Sequence, residues 1–88
     1  MNNYFVYCHT DYENFDSPLY IGIGNSRKRA YEQVGRDGAH RAWLESVPHD
    51  YDYVEVLESG LSKYEAEIEE TRLVRELDPK FNIQKRIK

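Results

Sequence analysis

Eighty-eight residues with 40% hydrophobic content suffice for one small domain, residues 1–88, and exclude two independent cores. A charged fraction of 32% and the lack of any low-complexity tract point to a compact soluble protein, with fraying expected only over the last few residues. The net charge of −4 weighs against a protein that coats nucleic acid through charge alone.

Charge is unevenly spread. Residues 1 to 60 hold ten acids and five bases, and all five bases (Arg27, Lys28, Arg29, Arg36 and Arg41) fall within one fifteen-residue stretch. A second basic group, Lys80, Lys85, Arg86 and Lys88, closes the chain. Two basic patches on an acidic body suggest a localised phosphate contact. No apolar stretch approaches bilayer length, and Met1-Asn2-Asn3 leads straight into a strand-like run, so a cytoplasmic protein without a membrane partner is expected. The single cysteine, Cys8, has no disulfide partner and no ligands at metal spacing, and reads as a buried strand residue.

Along the chain, Tyr4 to His9 alternates and is rich in aromatic and branched residues, which predicts a first strand. Thr10 to Pro18 is dense in turn formers and predicts a hairpin loop, followed by a second strand over Leu19 to Ile23. Gly22 and Gly24 break that strand, and Asn25 or Ser26 offers an N-cap for a short helix from Arg27 to about Val34, ending near Gly35. A further helix after Asp37 or Gly38 carries Ala39, Ala42, Trp43 and Leu44 until Pro48 stops it, with Trp43 as a core anchor. Tyr51 to Glu58 alternates as a third strand. Ser62 with Glu65 forms a capping box for a last helix, with Leu61 placed to staple against Ala66. That helix runs to about Leu77, with Tyr64, Ile68, Leu73 and Leu77 as its apolar stripe. Asp78-Pro79 ends it, and Phe81-Asn82-Ile83 packs back on the sheet. The order is β-β-α-α-β-α.

Strand alternation puts Phe5, Tyr7 and His9 on one face and Tyr4, Val6 and Cys8 on the other. Matching the apolar faces of the two strands brings Tyr7 and Tyr20 to the same side, beside Gly22, which leaves room for a ligand or another backbone. Periodicity by itself favours two core aromatics with satisfied hydroxyls. Phenol oxygens beside a guanidinium can also orient and polarise a phosphodiester. Arg29 sits at a helix start, where anions are favoured, and Gln33 lies on the same helical face. Any one of Arg27, Lys28 or Arg29 reads as solvated, whereas their cluster points to phosphate. Glu65, Glu67 and Glu69 read as a solvated acidic face, but Glu70 projects beside the apolar stripe and needs a cation partner, either an arginine or a divalent metal such as magnesium. His40 either points back to the same place or sits exposed as a structural histidine, and His9 and His49 have weaker claims.

Taken in order, these residues resemble the GIY-YIG nuclease domain. Phe5-Val6-Tyr7 stands at the first triplet, with its tyrosine kept and Phe5 in place of glycine, and Tyr20-Ile21-Gly22 reads YIG in full. Gly24-Asn25-Ser26-Arg27-Lys28-Arg29-Ala30-Tyr31 looks like the start of the family's first helix, with Arg29 at its arginine. Glu70, Val74 and the run Leu77-Asp78-Pro79-Lys80-Phe81-Asn82 are similar to the helix bearing the metal-binding glutamate and the terminal asparagine. The likeness spans nearly the whole chain.

It implies an α+β fold, a three-stranded antiparallel sheet flanked by helices, and endonucleolytic hydrolysis of phosphodiesters in DNA, or else RNA, with one Mg2+ or Mn2+. Glu70 would hold the metal, Tyr7 would act as general base on water, and Tyr20 would orient the water or the phosphate. Arg29 would stabilise transition-state charge, and Asn82 would fix the neighbouring geometry. Arg27, Lys28, Arg36 and Arg41 are the expected nucleic-acid contacts. Many members carry histidine where Gln33 stands; glutamine cannot relay a proton, so a histidine-dependent route would be lost unless His40 compensates. The acidic surface implies weak binding to duplex DNA alone, a homodimer, or a targeting partner protein. The alternative is a catalytically weak module of the same kind that binds nucleic acid or a protein partner.

Overall fold

Alternation in the first strand gives it two unlike faces, and both are covered by helices. β1 spans Tyr4–Asp11, β2 Asn14–Gly24, α1 Arg27–Tyr31, α2 Gly38–Ser46, β3 Val54–Leu61 and α3 Lys63–Leu77. The computed structural model describes residues 3–11, 14–31, 38–48 and 52–82. Expectations that fall on Val34, Gly35, Tyr51 and Ile83 lie outside these. The strands form one antiparallel sheet in the order β2-β1-β3, so the expected α+β architecture and element order are both present.

On one face Val6, Cys8 and Ile21 pack with Ala66 and Val74 of α3, and Tyr4, Ile23, Leu61 and Leu73 close around them. On the other face lie the rings of Tyr7, His9 and Tyr20, capped by His40, Trp43, Tyr53 and Phe81. Trp43 is half-buried and packs against His9 and Tyr53, as expected of an anchor. Among the described residues no helix is long and apolar enough to cross a membrane.

Three features differ from expectation, two of them boundaries. The hairpin loop predicted over Thr10 to Pro18 is largely strand: Thr10 pairs with Pro18 and Asp11 with Asn14, across shifts in register at Thr10. β2 is an edge strand, where a proline and short polar side chains are tolerated because the outer hydrogen-bonding edge has no neighbouring strand. The third strand starts three residues late and runs on to Leu61. Asp52 Oδ1 accepts from the Val54 N–H at 3.2 Å and from the Tyr31 hydroxyl at 2.9 Å, which ties Asp52 into a local turn instead of the ladder. At the far end the strand passes through Gly60, at φ 72°, and still pairs Leu61 with Tyr4.

The third correction concerns α3. Its capping box is formed as predicted, with Ser62 Oγ accepting from the Glu65 N–H at 3.1 Å and Glu65 Oε1 accepting from the Ser62 N–H at 2.9 Å. Asp78 ends the helix in the left-handed region, donating its N–H to the Val74 carbonyl. The buried stripe, however, is Ala66, Glu70 and Val74, while Tyr64 is 72% exposed and Ile68 50%. Small Ala66 and Val74 let the helix approach the sheet closely, and that turns the bulkier Tyr64 and Ile68 outward.

Candidate active site

The hairpin register builds the centre of the site. Tyr7 lies opposite Gly22 and His9 opposite Tyr20, so the side chains of Tyr7, His9 and Tyr20 share a face. The Tyr7 and Tyr20 rings lie 6.1 Å apart, as the shared face of the two strands predicted. A Cβ built on Gly22 would sit 2.6 Å from Tyr7 Oη, and 2.7 Å from both Tyr7 Cζ and Tyr20 Cε2. The space beside Gly22 is thus taken by the two tyrosine rings themselves. Tyr7 is wholly buried, between Phe5 at 5.8 Å and His9 at 5.3 Å, whereas Tyr20 keeps partial contact with solvent.

The strand hands over to α1 through Gly24-Asn25-Ser26, with the Ser26 carbonyl accepting from the Arg29 N–H at 3.1 Å. This places the Arg29 stem over the sheet: its Cβ and Cγ, together with Phe5 Cζ, are each 3.3 Å from where a Gly24 Cβ would be. Arg29 is half-buried and belongs to the tyrosine face. Arg27 opens α1, Lys28 beside it is exposed, and Arg41 is exposed on α2. Gln33, Arg36, His49, Lys85, Arg86 and Lys88 lie outside the described residues.

His40 is not an exposed histidine. It is buried, and its ring packs against Phe81 at 4.8 Å and Tyr20 at 4.5 Å. His9, given a weaker claim by the sequence, is wholly buried in the middle of the cluster. Its Nε2 lies 2.7 Å from the Ala30 carbonyl and its Nδ1 2.9 Å from His40 Nε2. A carbonyl only accepts, so His9 carries its proton on Nε2; in the neutral ring Nδ1 then accepts from the His40 Nε2–H. The one signal for His9 in the sequence is its alternation with Phe5 and Tyr7. Its partner, 31 positions later on a helix, leaves none.

Glu70 and Asn82 approach from elsewhere. Glu70 is 7% exposed, between Ala66 and Val74, both of which pack on the Val6, Cys8 and Ile21 face. The helices bearing Arg29 and Glu70 therefore cover opposite faces of the sheet. Asn82 binds the outer edge of β2: its Oδ1 accepts from the Ile21 N–H at 2.8 Å and its Nδ2 donates to the Ile21 carbonyl at 2.9 Å. The Phe81 N–H adds a bond to the Leu19 carbonyl at 2.7 Å, so Phe81-Asn82 pairs with that edge in place of a fourth strand.

Glu70 is the one buried carboxylate among the described residues, and no group of three or more His, Cys, Asp or Glu gathers there. A lone carboxylate offers one hard oxygen donor, the donor type of Mg2+ and Mn2+ and not the three or four protein ligands of a zinc site, and it stands on the face of the sheet opposite Tyr7, Tyr20 and Arg29. The Cys8 thiol is pushed up to about 11, chiefly by burial and next by the charge of Glu55, its partner across the β1–β3 ladder, against a smaller lowering by a hydrogen bond from the Leu19 backbone. It carries no nucleophilic role at neutral pH. No protein-family model matches the chain, and no curated protein matches it.

Proposed function

We propose that the chain is a small endonuclease that hydrolyses phosphodiester bonds, in DNA foremost and RNA secondarily, with one divalent metal. The observation that carries this is the meeting of Tyr7 and Tyr20 over Gly22 with the stem of Arg29 at Gly24, from three separate elements on one face. The GIY-YIG resemblance supports the same chemistry. In this mechanism Tyr20, at the solvent side of the pair, orients the phosphate or the water, and Tyr7, once ionised to its phenolate, takes the proton of the attacking water at Oη and returns to the neutral phenol. Arg29 neutralises charge growing on the phosphoryl oxygens. Asn82 keeps the β2 edge, and with it Gly22, in register. By the resemblance Glu70 would hold Mg2+ or Mn2+, which when bound supplies electrostatic stabilisation of phosphoryl charge; Glu70 stands on the face of the sheet opposite Tyr7, Tyr20 and Arg29, so no step at the tyrosine face is routed through it.

Lys28 and Arg41, with Arg27 and Arg36, would contact the nucleic-acid backbone. With a net charge of −4, the protein would depend on a second copy or a targeting partner to hold duplex DNA, acting in the cytoplasm. A second reading, a binding module that cleaves poorly, is favoured by the complete burial of Tyr7 and by the approach of Glu70 from the opposite face. Plasmid nicking separates the two. Wild type is expected to nick supercoiled plasmid in Mg2+ or Mn2+, and Arg29→Ala and Glu70→Ala to abolish it. Nicking that persists in both variants would reject the site, and an inert wild type across metals on DNA and RNA would leave the binding module.

A further inference from the structure

The histidine chain joins three elements through one ring. His9, on β1, donates from Nε2 to the Ala30 carbonyl of α1 at 2.7 Å and accepts at Nδ1 from His40 of α2 at 2.9 Å. Both rings are buried. Phenylalanine would fill the same strand position without two polar nitrogens to desolvate, so an imidazole is tolerated there only because both bonds are made. The Ala30 carbonyl belongs to α1. His9 supplies that carbonyl with a donor, one residue from Arg29.

We infer that His9 is a positioning residue for both Arg29 and His40. Through Nε2 it holds α1 at Ala30 and so sets the angle at which Arg29 leaves the sheet. Through Nδ1 it selects the His40 tautomer that is protonated on Nε2 and unprotonated on Nδ1, while Phe81 and Tyr20 fix the plane of the His40 ring. The Arg29 half of this inference rests on the proposed nuclease activity; the tautomer half does not.

Two amides divide the role. In His9→Gln the side-chain nitrogen reaches the place of Nε2 and keeps the Ala30 bond, whereas in His9→Asn the side-chain oxygen takes the place of Nδ1 and keeps the His40 bond. His9→Phe keeps the shape and loses both. Long-range proton–nitrogen NMR of the His40 ring is expected to show one tautomer in wild type and His9→Asn, and a mixture in His9→Gln and His9→Phe. Nicking is expected to survive largely in His9→Gln and to fall about ten- to a hundredfold in His9→Asn, the scale of a small misplacement of a catalytic group. A single unchanged His40 tautomer in His9→Gln and His9→Phe would overturn the inference, as would wild-type nicking by a folded His9→Asn. If His9→Phe fails to fold, the Gln and Asn pair carries the test. If the wild type itself does not nick, the nuclease proposal fails, and the NMR result alone decides the role of His9.

Discussion

Replacing Gly22 by alanine tests whether the tyrosine pair is as tightly closed as its geometry indicates. The new methyl carbon would stand 2.6 Å from Tyr7 Oη and 2.7 Å from Tyr7 Cζ and Tyr20 Cε2, where carbon contacts settle at about 3.5–4.0 Å. Tyr7 has nowhere to retreat, because Phe5, His9 and Tyr20 surround its ring and it is wholly buried. Relief must come from displaced rings or a shifted strand, which places the cost in the overpacking range of about 1–3 kcal/mol. For a chain of this size each kcal/mol lowers Tm by roughly 4–8 °C, so a fall of about 5–20 °C is expected. Thermal and urea denaturation followed by circular dichroism would measure it, with an unchanged m-value showing that the unfolded reference has not moved. Gly38→Ala is the control, since nothing among the described residues lies within 4 Å of the added Cβ. Adding Tyr7→Phe to Gly22→Ala removes the hydroxyl contact and leaves the Cζ contact, so the pair should couple favourably by about 0.5–1.5 kcal/mol. Melting of Gly22→Ala alongside wild type, or simple additivity with Tyr7→Phe, would refute the account of a closed pair.

Asn82→Ala should leave a buried N–H and C=O of Ile21 without partners, costing about 1–3 kcal/mol for each group, and should specifically speed exchange of the Ile21 amide proton. Slow exchange at Ile21 in that variant would show that the edge is held by something else. For Cys8 the fold raises the thiol from 9.0 to about 11, so the folded state holds the proton more tightly than the unfolded state does. Stability from this source is full below about pH 9 and is lost as pH rises through 11, by about 3 kcal/mol in all at ~1.4 kcal/mol per unit. Urea midpoints at pH 8 and pH 10.5 should diverge in wild type more than in Cys8→Ala; equal divergence would remove Cys8 as the cause.

Local rules were sufficient where a feature depends on near neighbours in the chain. The capping box of Ser62 and Glu65, the stop at Asp78-Pro79 and the alternation of Tyr4 to His9 all follow from side chains a few positions apart, and all three are present in the fold. The shared face of Tyr7 and Tyr20 was legible too, because alternation in two strands plus a match of apolar faces leaves one solution. Turn chemistry misled over Thr10 to Pro18, since an edge strand accepts the same polar residues and proline that a loop does.

Long-range packing decided the remainder. Periodicity could not tell which side of α3 would face the sheet, because Tyr64 and Ile68 make as apolar a stripe as Ala66 and Val74. Close approach of helix to sheet favoured the smaller pair and buried Glu70 between them. The same holds for His9 and His40, whose types and positions are plain in the chain but whose 2.9 Å hydrogen bond exists only because α2 folds over β1. By itself the sequence determined the elements, their order and which residues share a strand face, since those depend on backbone geometry with periods of two and 3.6 residues. Only the tertiary structure decided which faces meet, and so placed Arg29 with the tyrosines and Glu70 across the sheet from them, because contact between elements depends on side-chain volume and not on spacing.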